Sequence, residues 1–200
     1  MTGDKVAFID RLLAVIETEI VPLTVQGVQE GNKVFGGAVL RKADLSTVVA
    51  VTNAETGNPL HHGEISTLNA FYELPRAGRP ATKDCLFIST HEPCSLCLSA
   101  ITWTGFDNFF YLFSYEDTRD AFNIPHDLKI LDEVFGCPDG SYARKNDYWC
   151  SWGIQELVAR TGEEDRAGFA ARIAALRKTY DELSEVYQAS RGRGADIPLD

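Results

Sequence analysis

The chain has 200 residues, with 29 acidic against 19 basic side chains and a formal charge of −10. That length suits one domain, or one domain with an extension, and 44 % apolar residues are ordinary globular usage. The acidic balance lacks the basic footprint that phosphate contacts need, which counts against nucleic acid and against a membrane surface. No apolar run approaches the roughly 18–20 residues of a membrane helix. The opening Met1-Thr2-Gly3-Asp4-Lys5 lacks the pattern of a secretory signal. A cytoplasmic protein is expected.

Val6 to Ile20 sets Ile9, Leu12, Leu13, Ile16 and Ile20 at helical spacing, and Pro22 is expected to close that helix. Val34 to Leu40 and Thr47 to Thr52 are β-branched runs that read as a strand pair. Asn53 to Pro59 carries Asn, Gly and Pro and reads as loop. His62 to Leu74 is a predicted helix ending before Pro75. Cys85 to Ser89 is a buried strand, and Pro93 opens a helix that runs to about Thr104. Phe109 to Phe113 is the next strand. The order α-β-β-α-β-α-β predicts an α/β layer fold with helices on both faces of one sheet.

After Ser114 the pattern loosens. Leu128 to Phe135 and Trp152 to Arg160 read as helices, with a turn-rich stretch from Gly136 to Asn146. Arg166 to Gln188 reads as a long helix striped by Phe169, Ile173, Leu176, Tyr180, Leu183 and Tyr187. That stripe suits packing on the domain's own sheet, and its heptad spacing also suits a subunit contact. The expected division is a domain over 1–160, a C-terminal helix over 161–190 and a tail over 191–200.

The five cysteines are odd in number and sparse for a disulfide scaffold. Cys94-Ser95-Leu96-Cys97 follows Pro93, and His62-Gly63-Glu64 lies upstream. One histidine and two cysteines are good zinc donors. At i and i+3 both thiols share one helix face, in the first turn, where the dipole favours the thiolate. His62 opens the other helix, where the backbone is not yet locked, so His62 and Glu64 can reach one pocket. Three protein ligands leave a fourth position open, as in catalytic sites. A water held there would titrate near ~7, and Glu64 is suited to carry its proton. A structural zinc site and a redox pair are the alternatives. Cys85, Cys137 and Cys150 read as buried free thiols, and His61 and His91 as neighbours of the ligands.

His62-Gly63-Glu64 followed by Pro93-Cys94-Ser95-Leu96-Cys97 resembles the H-x-E and P-C-x-x-C signature of the zinc-dependent cytidine and deoxycytidylate deaminase superfamily. The resemblance covers roughly residues 30 to 114. It implies a three-layer α/β/α sandwich with a mixed five-stranded sheet. It implies a Zn2+ cofactor on His62, Cys94 and Cys97, with Glu64 as proton shuttle. Asn53, at the end of the second strand, would hold the base. Asn58-Pro59 precedes the histidine as a polar-Pro pair does in tRNA adenosine deaminases.

A histidine as first ligand leans towards the cytosine, guanine, deoxycytidylate and tRNA-adenosine branches. The string His62-Gly63-Glu64-Ile65-Ser66-Thr67-Leu68 resembles the fungal-type cytosine deaminases. Gly63, where most relatives carry Ala, would let a substrate approach the backbone closely. The expected function is hydrolytic deamination of a nucleobase or small nucleoside, cytosine-like first and guanine-like second. The alternatives are a tRNA adenosine deaminase and a catalytically silent, zinc-stabilised binding module. Relatives imply a homodimer with a small heterocyclic amine as substrate. Asp117, Asp120, His126, Trp149 and Trp152 are candidates to line the pocket. Ordinary roles are favoured for each: solvated carboxylates, a surface histidine and core tryptophans.

Overall fold

The stripe that begins at Ile9 forms a helix, but the rod does not stop at Pro22. Helix α1, Lys5–Val15, passes through a π turn at Ile16–Ile20 into α2, Val21–Gln29. Val21 N–H reaches back five residues to the Ile16 carbonyl. The register therefore resets one residue before the proline. Pro22 then occupies the first turn of a new helical run, where its missing N–H does no harm. The computed structural model describes residues 5–120, 124–190 and Ile197. The expected tail over 191–200 lies outside the described residues, Ile197 excepted.

Strands β1, Gly36–Arg41, and β2, Thr47–Thr52, follow as a hairpin. Then come α3, Gly63–Glu73; β3, Cys85–His91; α4, Ser95–Trp103; and β4, Asn108–Phe113. Two short helices, α5, Tyr115–Asp120, and α6, His126–Phe135, precede β5, Cys150–Gly153. The chain ends its regular structure with α7, Ile154–Ala159, and α8, Glu163–Ser190. The sheet order is β2-β1-β3-β4-β5. Strand β1 is antiparallel to both neighbours, and β3, β4 and β5 run parallel. Strand β2 therefore runs parallel to β3.

Two elements after Ser114 correct the sequence reading. The helix expected from Trp152 starts at Ile154, because Cys150–Gly153 extends the sheet as β5. Trp152 pairs with Phe110 in register, and the two rings stack 5.0 Å apart. Helix α5 was not expected. A reciprocal cap makes it: Ser114 N–H donates to Asp117 Oδ2 at 2.9 Å, and Asp117 N–H donates to Ser114 Oγ at 3.3 Å.

Alternation along the strands divides the core into two. Leu86, Ile88, Phe110 and Leu112 face a layer formed by α1, α2, α7 and α8. Cys85, Phe87, Phe109 and Tyr111 face the layer containing α3 and α4. The result is a three-layer α/β/α sandwich on a mixed five-stranded sheet. The α8 stripe lies in the first core, with Tyr180 fully buried. Arg172 ties α8 to Asp10 and Glu17 at 2.6 and 2.7 Å.

The topology sets where a site can form. Helix α3 follows β2 and α4 follows β3, and these strands are parallel. Both helices therefore begin at the same end of the sheet, beyond the strands' carboxyl ends, where open α/β sheets place ligands.

Two substitutions check the packing of α8. Gly168 is exposed in mid-helix and an added Cβ would meet nothing within 4 Å. Gly168→Ala should stabilise the protein by roughly 0.5–1 kcal/mol in denaturant unfolding. Tyr180→Ala should cost roughly 3–5 kcal/mol in the same measurement.

Candidate active site

His62 is the N-cap of α3, with φ −54° and ψ 161°. It lies outside the helix, so its ring is not held to the helical face that carries Glu64. Cys94 is the N-cap of α4, and Cys97 sits one turn inside it. Gly63 lets α3 start hard against the sheet: a Cβ there would stand 2.8 Å from the Gly36 nitrogen and 2.8 Å from the Phe35 carbonyl carbon. That backbone contact accounts for the glycine without any substrate.

His62 Nδ1 lies 3.3 Å from Cys94 Sγ and 3.7 Å from Cys97 Sγ, and the two sulfurs are 3.6 Å apart. A tetrahedral zinc ion with Zn–S of about 2.3 Å and Zn–N of about 2.0–2.1 Å requires S···S near 3.8 Å and S···N near 3.5 Å. The three atoms thus match three corners of such a site. Among the described residues they form the one metal-type cluster of histidine, cysteine and carboxylate groups.

The charges around this cluster explain its proton chemistry. The Cys97 side chain 3.6 Å away and the adjacent imidazole together hold the Cys94 thiol well below its ordinary value despite burial. Cys97 is pushed up by burial and by the charge on Cys94. Burial opposes a charge on His62, but Cys94, Glu55 and Glu64 outweigh it and raise its pKa to about 9. Glu64 is raised by burial and by Cys94. Its Oε1 accepts from Ser89 Oγ at 2.7 Å, and its Oε2 from Cys97 Sγ at 3.2 Å.

A cavity of about 280 Å³ opens over these groups. Lys33, Glu55, His91, Glu92, His126 and Asp127 supply most of its polar wall. Leu60, Leu96, Ile124, Ile130 and Ile197 are among its apolar lining.

Residues 19–113 match the family described as the cytidine and deoxycytidylate deaminase zinc-binding region. That match covers 95 of the chain's 200 residues. Guanine deaminase of Bacillus subtilis (strain 168) is 29 % identical over 102 residues, which span 50 % of this chain and 64 % of that protein. Among solved structures, a mutant of the protein NE0047 in complex with 8-azaguanine superposes with a TM-score of 0.50 at 18 % identity, over 89 % of this chain and 86 % of that one. A guanine deaminase from Nitrosomonas europaea gives 0.46 at 18 %, over 85 % and 81 %.

Several side chains sit in unexpected places. Asn53, the base holder implied by the resemblance, is 1 % exposed and is not part of the cavity wall. Its amide donates to Glu55 Oε2 at 2.5 Å, and its oxygen accepts the Glu55 N–H at 3.1 Å. Of the five candidates after Ser114, only His126 lines the cavity. Asp117 caps α5 and pairs with Arg177 at 2.8 Å. Asp120 pairs with Arg119 on the surface. Trp149 is buried on Phe109, and Trp152 stacks on Phe110. Cys137 and Cys150 are free but only partly buried.

Lys33, Glu55 and Asp127 went unread in the sequence. Burial and the negative Cys94 push the Asp127 carboxyl well above its ordinary range. His91, read as a neighbour of the ligands, lines the cavity and packs edge-on against Phe35 and Tyr180.

Gly63→Ala should lower unfolding stability by about 1–3 kcal/mol, because backbone rather than a flexible side chain must move. Burial lowers His91 to about 3. The unfolded chain takes up that proton near the ordinary value of 6.5 and the folded chain refuses it, so stability is lost as pH falls from 6.5 towards 3. His91→Leu should flatten that part of the stability–pH curve measured by denaturant titration.

Proposed function

We propose that the chain is a zinc-dependent hydrolytic deaminase of a free nucleobase, guanine-like first and cytosine-like second. The observation that carries this reading is the tetrahedral spacing of His62 Nδ1, Cys94 Sγ and Cys97 Sγ with the Glu64 carboxylate against it. Those three atoms would hold the zinc. Zinc bound there supplies a Lewis acid that makes water a competent nucleophile near neutral pH. Cys97 gives up its proton when it becomes a ligand, which frees Glu64 Oε2. Ser89 continues to hold Oε1. Oε2 then takes a proton from the attacking water and delivers it to the ring nitrogen beside the amine-bearing carbon. The second proton of that water passes from its oxygen to the amine, the C–N bond breaks, the carbon becomes a carbonyl, and ammonia leaves.

The wall supports a small, uncharged substrate. A cavity of about 280 Å³ lies at the small end of ligand sites, roughly 300–1,000 Å³. Glu55, Glu92 and Asp127 line it against Lys33, which disfavours a nucleotide phosphate or a tRNA backbone. Asp127 offers an acceptor to an N–H edge such as guanine presents. The guanine deaminase relative supports placing guanine ahead of cytosine.

A cytoplasmic location and a homodimer belong to the same proposal. Five free cysteines suit a reducing compartment. Trp103 stands 90 % exposed at the end of α4, apolar surface that a second subunit would cover. Among the described residues no helix is long and apolar enough to cross a membrane.

Ammonia release by zinc-loaded protein tests the reading on guanine, cytosine, adenine, their nucleosides and nucleotides, and an anticodon stem. Guanine should respond most strongly. A response from the anticodon stem alone would overturn the free-base assignment. Zinc bound with silence throughout would favour a binding module. Glu64→Gln should retain zinc by metal analysis and lose roughly 10²–10⁴-fold in turnover.

A further inference from the structure

We infer that Glu55 is a positioning residue for the metal site: it fixes the His62 ring from the side opposite the thiols, and Lys33 and Asn53 hold it there. The inference rests on the proposed reading of His62 as a metal ligand.

The two nitrogens of His62 face different neighbours. Nδ1 points at both sulfurs. Nε2 lies 3.6 Å from Glu55 Oε1, within ion-pair reach. An imidazole that gives Nδ1 to a metal keeps its proton on Nε2, and that N–H needs an acceptor. In metal sites the acceptor is commonly a carboxylate, which sets the tautomer and the ring plane. Glu55 is the carboxylate in that place.

Glu55 is itself immobilised. It is 3 % exposed, so an unpaired charge there would be strongly unfavourable. Lys33 Nζ donates to the same Oε1 at 3.0 Å. Asn53 donates to Oε2 and accepts the Glu55 backbone N–H. Both ends of the Asn53 amide are thereby engaged with Glu55. In this chain Asn53 supports a support, and it reaches the reacting atoms only through Glu55 and His62. The alternative is a purely structural role, in which Lys33–Glu55 ties the turn before β1 to the loop after β2.

Cobalt(II) substitution of the full chain separates these roles. Wild type should bind one Co2+ per chain with thiolate-to-metal charge-transfer absorption and tetrahedral d–d bands. Glu55→Gln should bind zinc about 10–100-fold more weakly in a chelator competition, and its d–d bands should shift as the ring loses its orientation. Glu55→Gln leaves the Lys33 ammonium without its carboxylate, which threatens folding. The double variant Lys33→Met with Glu55→Gln removes both charges, and its metal-free melting should stay near wild type. The affinity loss and the band shift should persist in it. Wild-type affinity and an unchanged spectrum in the folded double variant would overturn the inference and leave the ion pair as a tie between loops. A wild-type protein that binds cobalt without thiolate bands would overturn the metal-site reading as well.

Discussion

The contact on which the site depends is between two stretches of backbone. Gly63 begins α3 directly against Phe35 and Gly36 at the start of β1, closer than any side chain allows. This fixes the depth at which α3 enters the sheet, and His62 is the residue just before that point. The opposite half is set by β3, whose parallel course with β2 brings α4 to the same end. Cys94 and Cys97 arrive on the first turn of that helix. Small errors at either entry would widen spacings of 3.3–3.7 Å beyond what one ion can span.

The second constraint is electrostatic. Cys94, Glu55, Glu64 and Asp127 bring negative charge to one small cavity, against Lys33 and His62. The consequences are visible in three groups: burial and Cys94 push the carboxyls of Glu64 and Asp127 up, and His62 is pushed up to about 9. These are signs of a site with more anionic groups than cations to balance them. A dication at the three donor atoms would become the largest local charge and reverse that pressure. The protein thus satisfies part of the imbalance with Lys33 and leaves the remainder for the metal.

The front half was legible because each residue type there has one strong reason to be present. Thr47 to Thr52 is a β-branched run, Pro93 marks a helix start, and a histidine with two cysteines names its own chemistry. Pro22 misled because a π turn is a change of register that no residue pattern announces. Strand β5 misled because four residues, Cys150–Gly153, are too few to show a period, and their strand character comes from pairing with β4. Glu55 carried no signal: a carboxylate in a polar loop is ordinary until the fold buries it beside Lys33. Gly63 was noticed for the right property, lack of a side chain, and the partner that needs it is β1 backbone.

The division of labour follows the chain. Residues from His62 to Cys97 bring together the three donor atoms and the Glu64 carboxylate, while α6 and Ile197 help to form the cavity wall. Helix α8 is not in that wall, but it supports it from behind. Tyr180 packs on His91 and Phe113, and Arg177 holds the Asp117 that caps α5. His91 is three residues before Cys94, so the rear helix bears on the strand end that presents the first thiol. A wall built from late segments can change its substrate without disturbing the donors, provided α8 keeps β3 and β4 in place. That separation explains why the donor atoms could be read from short motifs while the cavity wall could not: the wall includes residues such as Asp127, whose place depends on where the late segments fold.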